Sequence, residues 1–352
     1  MTHKQLNYWK PSFMVNVKGY ISSNFTKAFL TIFLPFYLII SLVYLVKIAA
    51  LTAKIQISLL ELLTLYSYSI PDIVFYTLPL SFIAALANVL MKLSQDNELI
   101  ALYALGLPAK QVLSRLLLLG VLFSLLLGSI SFLAMPLSKQ YYKAFRDDKK
   151  ADAKLNIVAG KLGQKFGDYY IYVKEKNEDI FHDMVIYNRT DKSNEQFFSS
   201  QTGELKHNKN VTSLLLNEGY GYTYSEDKLQ QAEYKTLEVF DSVKKTAYKF
   251  QSIVDYWSEG ENNVKRMHRS LFFIFISLIP LLSVYLVASF TMINPRYQTN
   301  HSFLVIFSTT LFLYLIGSSL EKWGTYVSLT LVVVLVVLLG QWSFKKRVSK
   351  YF

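Results

Sequence analysis

The residues that could carry chemistry are few and scattered. The five histidines (His3, His182, His207, His268 and His301) share no metal-ligand spacing, and the chain has no cysteine. A zinc site would have to be built from histidine and carboxylate alone. Gly160–Gly167, "GKLGQKFG", is rich in glycine and lysine but lacks the Gly-Lys-Ser/Thr ending with which a phosphate loop grips a nucleotide and its magnesium. Neither a Gly-x-Ser-x-Gly elbow nor a His-Glu-x-x-His pair occurs. No enzyme reading has residues to rest on, and no cofactor is expected. What remains are charges at the edges of apolar runs: Lys47 and Lys54 in "YLVKIAALTAK", and Asp96 and Glu98 in "SQDNELIALYALGLPAK", Ser94–Lys110. A cation at head-group depth suits lipid phosphate, although most span-end lysines simply snorkel to the interface.

The elements that must position these charges are membrane helices. Six windows are nearly free of charge: 28–46, 73–91, 116–137, 270–293, 302–320 and 323–344. At roughly 1.5 Å per residue, about 19 residues cross a hydrocarbon core of about 30 Å. The chain is therefore read as an α-helical polytopic membrane protein with six spans. The spans hold no mid-membrane carboxylate or histidine of the kind ion-coupled carriers keep. Glu61 and Asp72 fall at or outside a boundary, and Pro35 and Pro280 read as single kinks. Gly120, Ser124 and Gly128 form a small-residue stripe, expected to be a helix-packing face on the third span.

Charge sets the expected orientation. The net charge is +12 over 352 residues, yet residues 139–269 hold 22 basic and 20 acidic side chains. If the six spans alternate, twelve of the remaining basic residues lie on one side: Lys4, Lys10, Lys18, Lys27, Lys92, Lys110, Arg115, Arg296, Lys345, Lys346, Arg347 and Lys350. The short loops opposite balance to zero. By the positive-inside rule both termini are cytoplasmic, and a nucleic-acid partner is not expected.

The same topology places residues 138–269 outside the cytoplasm. "DYYIYVKEK", "DIFHDMVIYNR", "NVTSLLLNEGYGYTYS" and "EYKTLEVFDS" place β-formers at alternate positions, broken by turn residues. This is the signature of antiparallel strands in a sandwich or jelly roll. "SKQYYKAFRDDKKADAKL" before them reads as a helical extension of the third span. The chain thus divides as a membrane half (1–137), an inserted all-β, jelly-roll-like extracytoplasmic domain (138–269), and a second membrane half (270–352): three spans, domain, three spans.

Between spans two and three, residues 95–106 predict a helix too short to span. Ser94 or Asp96 is expected to cap its start, Glu98 to fall in the first turn where the helix dipole favours a carboxylate, and Gly106 to stop it. Leu99, Leu102 and Tyr103 share one face, while Ile100 and Leu105 make the other apolar too. Such a helix either packs between its own spans and a partner, or lies on lipid.

This arrangement, with "NELIALYALGLPAKQV" after span two, resembles the lipopolysaccharide-export permeases of the LptF/LptG (YjgP/YjgQ) family. "GKLGQKFGDYYIYV" and "FHDMVIYN" are similar to the start of that family's jelly roll, and "INPR" at Ile293–Arg296 is nearer LptF than LptG. The resemblance implies a bacterial inner-membrane permease without catalysis of its own. Its expected partners are a paralogous permease subunit, a cytoplasmic LptB-like ATPase dimer, LptC-like and LptA-like periplasmic bridge proteins, and lipopolysaccharide. It also implies that Asp96, Glu98, Leu99, Leu102, Tyr103 and Gly106 form an ATPase-coupling helix, that Lys47 lines the lipid cavity, and that Lys54 could share that role. Without the resemblance, the alternative is a non-transporting sensor or scaffold whose external domain binds a partner.

Overall fold

The computed structural model describes residues 17–52, 57–152, 157–166, 169–178, 180–191, 194–208, 211–225, 228–240, 248–258, 264–292 and 301–348. Lys54, Ile293–Arg296 and the basic residues Lys4, Lys10 and Lys350 lie outside them. The helices are α1 (Val17–Thr52), α2 (Leu59–Gln95), α3 (Glu98–Ala104), α4 (Ala109–Ser129), α5 (Met135–Asp152), α6 (Ile253–Ser258), α7 (Val264–Thr291), α8 (Ser302–Trp323) and α9 (Tyr326–Arg347). Six of the described helical segments are long and apolar enough to cross a membrane: α1, α2, the run α4–α5, α7, α8 and α9. α1, α2, the run α4–α5 and α8 outrun their charge-free windows, because helix propensity continues past the apolar stretch into the aqueous ends. Trp323, the expected first residue of the sixth span, instead ends α8. A reciprocal cap then restarts the chain: the Thr325 hydroxyl accepts from the Ser328 N–H, and the Ser328 hydroxyl accepts from the Thr325 N–H.

The chain divides into two compact units. The first comprises residues 1–44, 69–139 and 251–352. Its hub is α7, against which α4, α8 and α9 pack. Phe275, Ile276, Ile279, Val284 and Val287 of α7 are fully buried, whereas α1 and α8 turn Leu34, Leu38, Leu42, Phe303, Phe307 and Leu315 outward. An apolar helix surface exposed at this density is what a bilayer or a second membrane subunit covers. Of the small-residue stripe, Gly120 and Ser124 pack on α7 at Pro280 and Leu281. A Cβ at Gly120 would come within 3.2 Å of the Leu281 Cα, and the Ser124 hydroxyl accepts from the Leu281 N–H at 3.3 Å. Gly128 has nothing near its missing side chain and is not part of that face.

A π-helical turn, Ile130–Ala134, joins α4 to α5. Its wider ring disturbs the regular hydrogen-bond ladder, and the Trp257 indole donates to the Phe132 carbonyl at 3.1 Å. The Lys139 ammonium stands 3.7 Å from the Asp72 carboxylate, linking α5 to α2.

The second unit comprises residues 45–68 and 140–250. Lys149 pairs with Glu61, and the Tyr68 and Tyr141 rings stack at 5.7 Å. Its β strands are β1 (Gln164–Phe166), β2 (Tyr169–Asn177), β3 (Ile180–Asp191), β4 (Asn194–Asn208), β5 (Val211–Ser225) and β6 (Lys228–Phe240). They form one antiparallel sheet in simple sequence order. The expected inserted β domain is present, and its topology is this meander rather than a crossover-linked sandwich. Register brings Ile171 opposite Ile186, Val173 opposite Met184, and Leu216 opposite Leu237. These residues share one face with Leu214, Phe198 and Val239, and that face is the domain's apolar core. With no disulfide available, it is held by this burial and the strand ladder.

Candidate functional site

The Ser94–Lys110 stretch folds as a sharp turn, a short helix and a glycine stop. α2 runs on to Gln95, and Asn97 takes a left-handed conformation with φ of 58°, one that asparagine tolerates better than most residues. α3 therefore starts at Glu98 with Asn97 at its N-cap and no side-chain cap. Neither expected cap residue serves. Ser94 is buried and its hydroxyl lies 2.9 Å from both the Leu90 and Thr291 carbonyls, while Asp96 is exposed in the turn. Gly106 does stop the helix, at φ of 81°. Its N–H bonds the Tyr103 carbonyl at 2.9 Å, and the Leu107 N–H bonds the Leu102 carbonyl at 3.1 Å. Those two bonds make a Schellman motif.

The tertiary contacts assign the two apolar sides of α3. Leu99 is only 2% exposed, and Leu102 and Tyr103 pack against the same core, so all three seat the helix on its own spans. Ala101, Ala104 and Leu105 face outward, with Leu105 at 78% exposure. Glu98 is half-buried. The Tyr20 hydroxyl of α1 donates to its carboxylate, 2.8 Å from Oε2 and 3.0 Å from Oε1.

Beside this contact a cleft of about 220 Å³ lies between α1 and α2. Lys27, Lys92, Asn24 and Asn88 line it, Val89 and Leu93 form its floor, and Tyr20 and Glu98 close one end. Sequence reading counted Lys27 and Lys92 only as topology charges. Their convergence has no local signature, because 65 positions separate them in the chain. Tyr20 was likewise missed, although an exposed tyrosine one turn into a membrane helix is a common interfacial anchor.

Lys47, on α1 just beyond the 28–46 window, is exposed, whereas the neighbouring Ile48 is buried. The outward cation and inward isoleucine follow from the 100° step between successive helical residues. Among the described residues, no group of three histidine, aspartate or glutamate side chains could hold a metal ion.

A family model described as lipopolysaccharide export system permease LptF/LptG matches residues 19–344. No curated protein matches the chain.

Proposed function

This chain belongs to the LptF/LptG family of lipopolysaccharide export permeases, a multi-pass inner-membrane transport subunit of the Lpt complex and not an enzyme, and from that premise we propose how it works. The end bearing α3 is cytoplasmic, in keeping with the positive-inside rule applied to the twelve basic residues that alternating spans assign to that side. An LptB-like ATPase dimer docks on the outward surface of α3 formed by Ala101, Ala104 and Leu105. Leu99, Leu102 and Tyr103 transmit its motion to the spans, Asp96 and Glu98 supply charge at the rim, and Gly106 keeps the helix short. A paralogous permease subunit covers the apolar surfaces of α1 and α8, closing a cavity that ATP hydrolysis collapses. Lys47, at the opposite end of α1, meets phosphates of the lipid as it leaves the membrane. Lys54 is the weaker candidate for that contact. An apolar groove of the β domain receives acyl chains and passes them to LptC-like and LptA-like bridge proteins in the periplasm.

The observation that carries this reading is the seating of α3. A seven-residue helix is too short to be stable alone, yet it is locked on its own spans by Leu99 and stopped by Gly106 while showing Leu105 outward. A lever is built in that way: rigid toward the transporter and adhesive on the free side. The test is co-purification of the cytoplasmic ATPase with the permease carrying Leu105→Glu. Loss of the ATPase with membrane insertion intact is expected. Full retention would mean that α3 only lies on the bilayer.

A further inference from the structure

We propose that the cleft between α1 and α2 is a binding site for the phosphate head group of a resident anionic phospholipid, separate from the path of the exported lipid. The depth of the site comes first. Lys27 immediately precedes the first charge-free window, and Lys92 immediately follows the second. Lys27 thus stands toward the start of α1 and Lys92 toward the end of α2, which places both ammoniums on one side of the spans, at the level where hydrocarbon gives way to head groups. Both are exposed, both line one cleft, and neither has an ion-pair partner among the described residues.

The neutral groups are those a phosphate diester uses. Asn88 brings an amide donor from the α2 wall, Asn24, whose side chain also hydrogen-bonds the Tyr20 hydroxyl, lines the α1 wall, and the two lysines supply charge-assisted donors. The Thr31 hydroxyl is held by the Lys27 carbonyl at 2.9 Å, which fixes that wall. Val89 and Leu93 form an apolar floor, and above the cleft Leu30, Leu34 and Leu38 are exposed at four-residue spacing, a track for acyl chains.

Size argues against the exported lipid as occupant. Pockets for drug-sized ligands are about 300–1,000 Å³, and this cleft, at about 220 Å³, suits one small head group rather than a phosphorylated sugar. Glu98 at its closed end gives the site a consequence. A bound phosphate beside this carboxylate repels it and favours the Tyr20 hydrogen bond's release, so occupancy bears on the position of α3. The leaflet follows from the orientation proposed above, but the site itself does not depend on it.

The experiment is native mass spectrometry of the purified full chain titrated with phosphatidylglycerol. Lys27→Gln/Lys92→Gln should weaken binding about tenfold, a loss of about 1.4 kcal/mol, and Lys27→Arg/Lys92→Arg should restore it. Lys345→Gln/Lys346→Gln, which removes equal charge at the same membrane side, should change affinity less than about twofold. Equal loss in both glutamine pairs would reduce the effect to general attraction of anionic lipid and overturn the site. Phosphatidylcholine binding as tightly as phosphatidylglycerol, or inorganic phosphate at about 10 mM displacing the lipid completely, would overturn the lipid assignment.

Discussion

The Tyr20 hydroxyl bridges both carboxylate oxygens of Glu98, at 2.8 and 3.0 Å, across 78 positions of sequence. The first membrane helix thereby holds the first residue of α3. A carboxylate that would otherwise only favour a helix dipole is aimed by a phenol on another helix. Tyr20→Phe should leave insertion unchanged and cost only about 0.5–1.5 kcal/mol of stability, yet lower export by freeing the carboxylate. Glu98→Lys should abolish export and release the ATPase if Glu98 meets a cation of the docked ATPase there, since losing one partner of such a pair once docking buries it costs about 2–5 kcal/mol. ATPase pull-down scored beside lipid release from vesicles checks both. Normal values for both variants would leave the Tyr20–Glu98 contact a local ornament of the fold.

Gly106 offers a test of the stop signal free of packing effects. Nothing lies within 4 Å of its missing Cβ, and its φ is +81°, so a side chain there costs backbone strain alone. Gly106→Val should cost more than about 1–2 kcal/mol locally, Gly106→Ala less, and Gly106→Asn least. Limited proteolysis between Asn97 and Pro108 should follow that order.

The Lys139–Asp72 pair joins α5 to α2 with side chains 36% and 23% exposed. Asp72→Asn should lower thermal stability by about 1–2 kcal/mol, because a half-buried ammonium loses its countercharge while water still screens part of the cost. Lys139→Met added to Asp72→Asn should recover much of it. A double variant no better than the single one would assign the loss to Asp72 alone.

In the β domain, the Tyr234 hydroxyl donates to the Ser199 carbonyl at 2.8 Å, and burial raises its pKa from 10.0 to about 12. The folded domain holds this proton more tightly than the unfolded chain. Its contribution is fully present below pH 10 and is lost as pH rises toward 12. The loss should not exceed about 2 kcal/mol, since the phenol is partly exposed and screened. Tyr234→Phe should flatten that decline in an alkaline melting series, and an unchanged slope would exclude this phenol as its source.

Lys47 is the test of the opposite membrane end. If its ammonium meets lipid phosphate, Lys47→Glu should reduce lipid crosslinking from this position about 10- to 150-fold, equivalent to about 1.5–3 kcal/mol for a desolvated contact. Assembly and ATP hydrolysis should persist. Unchanged crosslinking would make Lys47 an ordinary snorkelling lysine.

What the sequence by itself determined is what depends on local composition and period. Six charge-free windows dictate six helices, because a backbone in hydrocarbon must satisfy its own hydrogen bonds. Alternation in "DYYIYVKEK" dictates strands, and Gly106 dictates a stop because its neighbours cannot adopt positive φ cheaply. Tertiary structure decided everything that needed a second element. Ser94 looked like a cap, yet its hydroxyl was claimed by the Thr291 carbonyl of a helix 197 positions away, so the helix begins at Glu98. Both faces of α3 were apolar in sequence, and only packing on the spans sent Leu99 inward and Leu105 outward. Gly120 and Gly128 were equivalent members of one stripe until the Pro280–Leu281 backbone of α7 met the first and left the second bare. Lys27 and Lys92 were two unrelated charges until α1 and α2 brought them into one cleft. Periodicity reports how a segment is built, but which face is covered and which charges converge are set by contacts between segments, and those are written only in the folded chain.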